Sequence, residues 1–441
     1  MTIRKLQQLE GYSGIWYYNQ ELPSIYKYKY SGGLGTYCAK HIPMAVFSKE
    51  ENKTFFVYGA SQPMKCNLLH AISYFNHDTG TVPRPRCLLD KKTRDAHDNP
   101  VISMDDEGFI WIFSSSHGVN RPSYIHVSEQ PNSIDSFQLV KTTNFSYPQP
   151  WFIPDKGFMF LFTKYYNGRR FLSWSKSIDG NTWTEEEWLG GVERGHYQVS
   201  GRSGEKVGTA FNFHPEAGGL NHRTNLYYVE TPDLGKTWTN IAGKQVDVPL
   251  LEINNPALVM DYKTHGLLVY MKDIAFDHRG NPMIFYLLSK GYESGPENGL
   301  RTWMITRWDG RDWKTNQITT SDSNYDTGCM HYVNQGKIVV LGPMFEGPQP
   351  YNPGGEMGLI ESDDDGKTWI VPKQLTCNSK YNHTYARKPV NVHPEFFSFW
   401  ADGNPREVSA SRLYYYDYKM NQVYKLPGRM ESKTQPAIKL D

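Results

Sequence analysis

Large apolar residues in this chain come in short runs joined by polar or glycine turns, a pattern of strands and hairpins rather than of helices. It recurs at Met44–Phe47 then Phe55–Tyr58, Val101–Met104 then Phe109–Phe113, Trp151–Ile153 then Phe158–Phe162, and Gln198–Gly201 then Val207–Phe211. Further copies are Ala257–Met260 then Leu267–Tyr270, Gly328–Val333 then Lys337–Leu341, and a less regular one from Pro389 through Phe396–Trp400. Seven hairpins leave ~63 residues each, enough for a four-stranded blade and a loop. No long segment sustains a 3.6-residue period, so helices should be few and short. The pattern predicts an all-β fold, a seven-bladed β-propeller of four-stranded antiparallel blades, with residues 1–441 forming one domain.

A second repeat is a tight turn ending in tryptophan: Ser177-Ile178-Asp179-Gly180-Asn181-Thr182-Trp183, Thr231-Pro232-Asp233-Leu234-Gly235-Lys236-Thr237-Trp238 and Ser362-Asp363-Asp364-Asp365-Gly366-Lys367-Thr368-Trp369, with a degenerate copy at Trp308–Trp313. Asp and Ser/Thr can bind local amides, Gly supplies φ > 0, and Trp can plug a blade core. These turns resemble the Asp box, or bacterial neuraminidase repeat, which lies between the third and fourth strands of propeller blades. Their carboxylates are therefore expected to be structural.

Innermost strands of a propeller start at one end of its channel, so equivalent positions form a ring there. Aligned on the hairpins, that ring reads His41, His97, Tyr147, Tyr197, Asn254, Tyr325 and Arg387. His117 and Lys164 end second strands and should return to the same mouth. Most glycoside hydrolases need two carboxylates, and the ring offers none. Imidazoles, phenols and cations instead suit removal of a proton α to a carboxylate, the first step of β-elimination from a uronic acid. On this reading His97, His117 and Tyr147 are catalytic candidates, with a phenol beside cations acidic enough to act as base. Lys164, Tyr197, Arg223, Asn254, Tyr325, His331 and Arg387 are substrate-binding candidates. His331, inside a strand, has the alternative of being a satisfied core histidine. His214 and His222 are weak metal candidates whose spacing fits no specific pattern.

Composition narrows the classes. With 47 Lys+Arg against 46 Asp+Glu, the chain lacks the charge bias of a nucleic-acid or membrane-surface binder. No apolar stretch is long enough to span a bilayer. The five cysteines, Cys38, Cys66, Cys87, Cys329 and Cys377, make neither a disulfide framework nor a C-x-x-C site. Aromatics reach 14% of residues, suiting both β cores and sugar stacking. The first ten residues lack an apolar signal core. The expected location is the periplasm or the exterior, by way of a removed signal peptide, with the cytoplasm as the alternative.

The segments Gly11–Tyr17 and Lys29–Cys38, His97-Asp98-Asn99-Pro100 with His117 twenty residues on, and Thr209–Asn212 with Arg223–Tyr228 resemble the Asp-box propellers that include ulvan lyases. That group also includes enzymes cleaving α-L-rhamnosyl-(1→4)-D-glucuronate caps from arabinogalactans such as gum arabic. The resemblance implies a site of two histidines, a Tyr acting as base and acid, and an Arg, matched here by His97, His117, Tyr147 and, with Lys in place of Arg, Lys164. It implies a lyase on rhamnose-capped glucuronate, or an α-L-rhamnosidase of the same linkage depending on an early histidine, for which His41 is the candidate. Ulvan lyase and a non-catalytic sugar-binding propeller are further alternatives. Sialidases, which also carry Asp boxes, open their first inner strand with Arg-Ile-Pro where this chain has Lys40-His41-Ile42-Pro43. The expected partner is an acidic oligosaccharide or polysaccharide substrate, bound by a monomeric protein, with no nucleic acid and no membrane span. No cofactor is required, and a structural or site Ca or Zn ion is allowed for.

Overall fold

The computed structural model describes residues 5–62 and 65–440, and its strands form a β-propeller of small antiparallel sheets. Six sheets of four or five strands follow one another along the chain, covering residues 100–143, 146–190, 198–260, 268–321, 329–374 and 382–439. A seven-stranded sheet precedes them. It is built on Ala45–Ser48, Lys53–Ala60, Leu69–Asn76 and Arg86–Asp90. Gln7–Gln8 adds beside Arg86–Asp90, and Thr434–Pro436 pairs with Thr81–Pro83. Ile438–Lys439 extends the outer strand Gln422–Lys425 of the last sheet. The segment 434–439 thus bonds both the first sheet and the last and stitches the ring shut. Two main-chain bonds complete the seam, Phe47 N to Val390 O at 2.9 Å and Val390 N to Ala45 O at 2.8 Å.

Alternation along each strand buries both faces between neighbouring sheets, and the apolar cores lie in those gaps. One cluster joins the first, second and last sheets through Phe56, Phe113, Phe396, Phe399 and Tyr415. Among the described residues helix is limited to four short 3-10 turns. No helix there is long and apolar enough to cross a membrane.

The Asp-box turns lie between third and fourth strands and are held as their chemistry dictates. Asp364 accepts from the Thr368 amide at 2.9 Å and the Thr368 hydroxyl at 2.7 Å, while Ser362 Oγ accepts from the Gly366 amide. Asp233 makes the same bonds to Thr237. Asp179 accepts from the amides of Asn181 and Thr182, and Asp309 from those of Arg311 and Asp312. Hydrogen bonding from the Thr368 amide and hydroxyl pulls the Asp364 carboxyl down to about 2. Gly180 has φ +71°, and a Cβ there would lie 2.2 Å from the ring of Trp111 on the preceding sheet. The turn and the inter-sheet packing thus both demand glycine.

Two parts of the expected ring are corrected. Leu258–Met260 is not an inner strand but the outer strand of its sheet, paired with Thr224–Thr231, and Leu268–Phe276 starts the next sheet. The step from one sheet's outer strand to the next sheet's inner strand has the same strand-turn-strand look as a hairpin. Asn254 consequently sits in an exposed loop before an outer strand. In the last sheet the inner strand is Asn382–Arg387, so Arg387 closes it rather than opening it. The polar run Asn382-His383-Thr384 hid that strand, and Pro389 and Pro394 belong to the connection that follows.

Candidate active site

The starts of the inner strands converge on one end of the channel, where a cavity is lined by Lys40, His97, Tyr147, Tyr197, Tyr270, Lys272, Tyr325 and Tyr385. His117 and Arg170 reach it from second and third strands or the loops beyond them, and Arg223 from the start of another third strand. The hairpin of Trp16–Glu21 and Tyr28–Gly33 bounds one side with Asn19, Gln20 and Tyr30. Of the expected residues, His97, His117, Tyr147, Tyr197, Arg223 and Tyr325 therefore share one wall.

Asp95 organises the two histidines. It caps the short turn Ala96–Asp98, accepting from the His97 amide at 3.0 Å. Its Oδ1 lies 2.6 Å from His97 Nδ1 and its Oδ2 2.8 Å from His117 Nδ1. Neighbouring Asp98 accepts from the His117 amide and is held by Arg121 at 2.8 Å. Burial alone would raise the Asp95 carboxyl, but the adjacent His97 and His117 hold it well below the usual carboxylate range. An ionised Asp95 can only accept, so both rings present Nδ1–H to it and turn Nε2 elsewhere. His97 Nε2 meets the hydroxyls of Tyr37 at 2.7 Å and Tyr30 at 3.1 Å. The rings of His97 and His117 stack at 4.0 Å, and burial together with the His117 charge lowers the His97 pKa.

The cavity wall is cationic. Arg170 donates to Tyr165 Oη at 3.1 Å and Arg223 lies over the rings of Tyr270 and Tyr197, at 4.5 and 5.0 Å. Lys40 donates to Met271 O and Lys272 to Asn324 O and Thr327 Oγ1, so neither lysine has a carboxylate partner. Burial pushes Lys40 down to about 7 and Lys272 well below its ordinary value. No Asp or Glu lines the cavity among the described residues. A buried set of cations without counter-charge is a receptor for an anion.

Tyr147 and Tyr385 share an unusual backbone. Each has φ +53° on a bulged inner strand, a conformation costly for an aromatic residue. Each hydroxyl is buried without a hydrogen-bond partner. Strain and an orphaned donor at matching positions of two blades mark groups aimed at a ligand. Burial raises Tyr147 well above the ordinary phenol range, outweighing the pull of Arg170. This corrects the expectation of an acidified Tyr147: in the free protein it is a neutral phenol.

The other expected site residues lie outside this wall. His41 is fully buried behind it, with Nε2 on His97 O at 3.0 Å, Nδ1 on Cys38 Sγ at 3.1 Å and its ring against Tyr147. Lys164 has the predicted backbone placement, since Thr163 pairs with Ser146, but strand alternation turns its side chain to Asn144 O and Glu186. Arg170 occupies the place expected of it. Asn254 is remote, as its outer-strand position requires. Arg387 reaches back to His41 O and, with His331, lines a separate cavity at the opposite channel end. His331 stacks on Phe397 and bonds Ser398 Oγ, the core arrangement. His214 is sealed under Tyr197 with both ring nitrogens unpartnered, and His222 is exposed beside Tyr292. Neither belongs to a cluster of three metal-ligating side chains among the described residues. Asp95, Arg170, Lys40, Lys272 and Tyr385 were not singled out from sequence, although Asp95 and Lys40 stand within two residues of histidines that were.

These features define an Asp-box β-propeller with a cationic, histidine-bearing cavity at its channel mouth. The chain belongs to the BNR repeat-containing family, which residues 74–321 match. It is 23% identical over 347 residues to an ulvan lyase of Alteromonas sp. (strain LOR), covering 69% of this chain and 68% of that protein. An ulvan lyase of Pseudoalteromonas sp. (strain PLSV) is 22% identical over 287 residues, covering 55% and 58%. The solved structure of a polysaccharide lyase PL25 ulvan lyase matches with a TM-score of 0.71 at 16% identity, over 93% of this chain and 96% of that one. A PL25 structure bound to -[GlcA(1-4)Rha3S]- gives the same values.

Proposed function

We propose that this protein is a polysaccharide lyase that cleaves a 4-linked glucuronate by β-elimination, on a propeller whose blades number seven once the seven-stranded sheet is counted as one. The observation that carries this reading is the Asp95-held imidazole pair facing a cavity with two arginines, two lysines and no carboxylate of its own. Arg170, Arg223 and Lys40 would bind the uronate carboxylate, making the C5 hydrogen acidic. His117, whose Nε2 lone pair Asp95 directs away from itself, would take that proton. Neutral Tyr147 would protonate the departing O4 oxygen. The C5–H and C4–O bonds break, the C4–C5 double bond forms, and the proton on His117 returns to the Tyr147 phenolate. No water is consumed, and the scheme needs no redox cofactor. The names of the relatives support the lyase class.

For the substrate, our reading is the α-L-rhamnosyl-(1→4)-D-glucuronate unit at a glycan end. The hairpin that brings Asn19 and Gln20 to the cavity supports a chain end over a chain interior. A polymeric substrate goes with action outside the cytoplasm. Hydrolysis through His41 is disfavoured because that ring is sealed and both its nitrogens are engaged. The test is to follow rhamnose release and the ultraviolet absorbance of unsaturated uronate on gum arabic side chains and on ulvan. Rhamnose with absorbance from gum arabic is the expected result. Rhamnose without absorbance would overturn elimination, absorbance from ulvan alone would move the substrate, and neither signal would leave a sugar-binding propeller.

A further inference from the structure

At the seam where the first sheet meets the last, on the side of the connection after Arg387, three ligand-type side chains converge. His77 follows the strand Leu69–Asn76, while His393 and Glu395 open the short turn Pro394–Phe396. One donor atom from each lies within 4.8 Å of the others. The His77 and His393 rings pack at 3.8 Å between centroids, walled by Phe47, with Phe75 also against His77. His77 Nδ1 lies 3.3 Å from Glu395 Oε2.

Two of the three have the outer contacts of ligands held in place, while His393 Nδ1 caps the turn, accepting from the Glu395 amide at 3.3 Å. His77 Nε2 bonds Thr54 Oγ1 at 2.9 Å, fixing the ring with Nδ1 inward, and Glu395 Oε1 is held by Lys419 at 2.9 Å, leaving Oε2 inward. Partners on the non-ligating atoms are how proteins orient metal ligands. A simple ion pair would need only one imidazole, whereas here two converge on the one carboxylate. Two imidazoles and one carboxylate are a donor set for zinc, with water in the fourth position.

We propose that His77, His393 and Glu395 form a divalent cation site of the zinc class that clasps the first sheet to the last. The bridge joins residues 318 positions apart, His77 and Glu395, across the closure of the ring. Its role is stability, so turnover at the channel mouth is independent of it. The test uses the full chain, stripped with chelator and titrated with Zn2+, with metal content, the visible spectrum of the Co2+ form and Tm as readouts. Wild type should bind about one ion per chain, give a tetrahedral Co2+ spectrum, and gain about 4 °C or more in Tm. Glu395→Gln and His393→Asn, the latter keeping a capping side chain, should fold yet lose all three signals. Absence of saturable binding by wild type, or equal binding by both variants, would overturn the proposal.

Discussion

At the level of single residues, Asp95 tests whether the two histidines work as a pair. Its carboxylate sets the protonated nitrogen of both rings, so Asp95→Asn should keep the fold while disturbing both tautomers. We expect kcat to fall by about 10²–10⁴-fold, with an altered acid limb in the pH profile and an unchanged circular dichroism spectrum. Full activity in the variant would remove the histidines from the proton transfer. Tyr385 offers a different kind of test. Its hydroxyl is buried without a partner, so the free protein bears a desolvation penalty of about 1–3 kcal/mol for it. Tyr385→Phe should therefore leave Tm unchanged or raise it, while kcat/KM falls ~10-fold or more as a substrate hydrogen bond worth ~1.5 kcal/mol is lost. A fall in Tm would mean that the hydroxyl serves the fold. His97, His117 and Tyr147 were legible in the sequence because each sits where a strand-turn register ends at the channel. Arg170 was not, because it enters from the far end of a strand pair, a position that alternation alone does not distinguish from the solvent face.

Among the elements, the Asp-box turns were legible down to their hydrogen bonds, since the residue types specify the local geometry. Their partners across the sheets were not: nothing in the sequence of Gly180 says that Trp111 lies on it. Gly180→Ala carries two penalties, a residue at φ +71° and a Cβ 2.2 Å from the Trp111 ring. Together these predict a loss of about 1–3 kcal/mol. Thermal melting should show a lower Tm, and KM should stay the same, because the turn lies away from the channel. The misplacement of Leu258–Met260 has the same origin as the success elsewhere. Local pattern identifies a strand and a turn, but which strand is innermost depends on contacts hundreds of atoms away.

For the molecule as a whole, the cavity is a product of ring closure: no segment of the chain holds more than two of its cations, and Lys40, Arg170, Arg223 and Lys272 meet only when the inner strands do. The price of that assembly is cations buried without carboxylates, and it couples binding to pH. In the free protein burial brings Lys40 down to about 7, so at pH 8 it is mostly neutral. A bound uronate carboxylate favours the charged form and raises that value, so binding at pH 8 should take up protons, whereas below about pH 6 Lys40 is already charged and uptake should vanish. Affinity for the anion should then weaken as pH rises through this window. The sign for stability is opposite. The unfolded chain keeps lysine protonated to about pH 10, so between about 7 and 10 it binds more protons than the folded state, and this group's contribution makes stability rise with pH. Calorimetry of a non-cleaved rhamnosyl-glucuronate analogue, in buffers of differing ionisation enthalpy, measures the uptake directly. Lys40→Met should abolish most of it and flatten the pH dependence of affinity, and equal uptake in that variant would place the titrating group elsewhere, with Lys272 the next to replace.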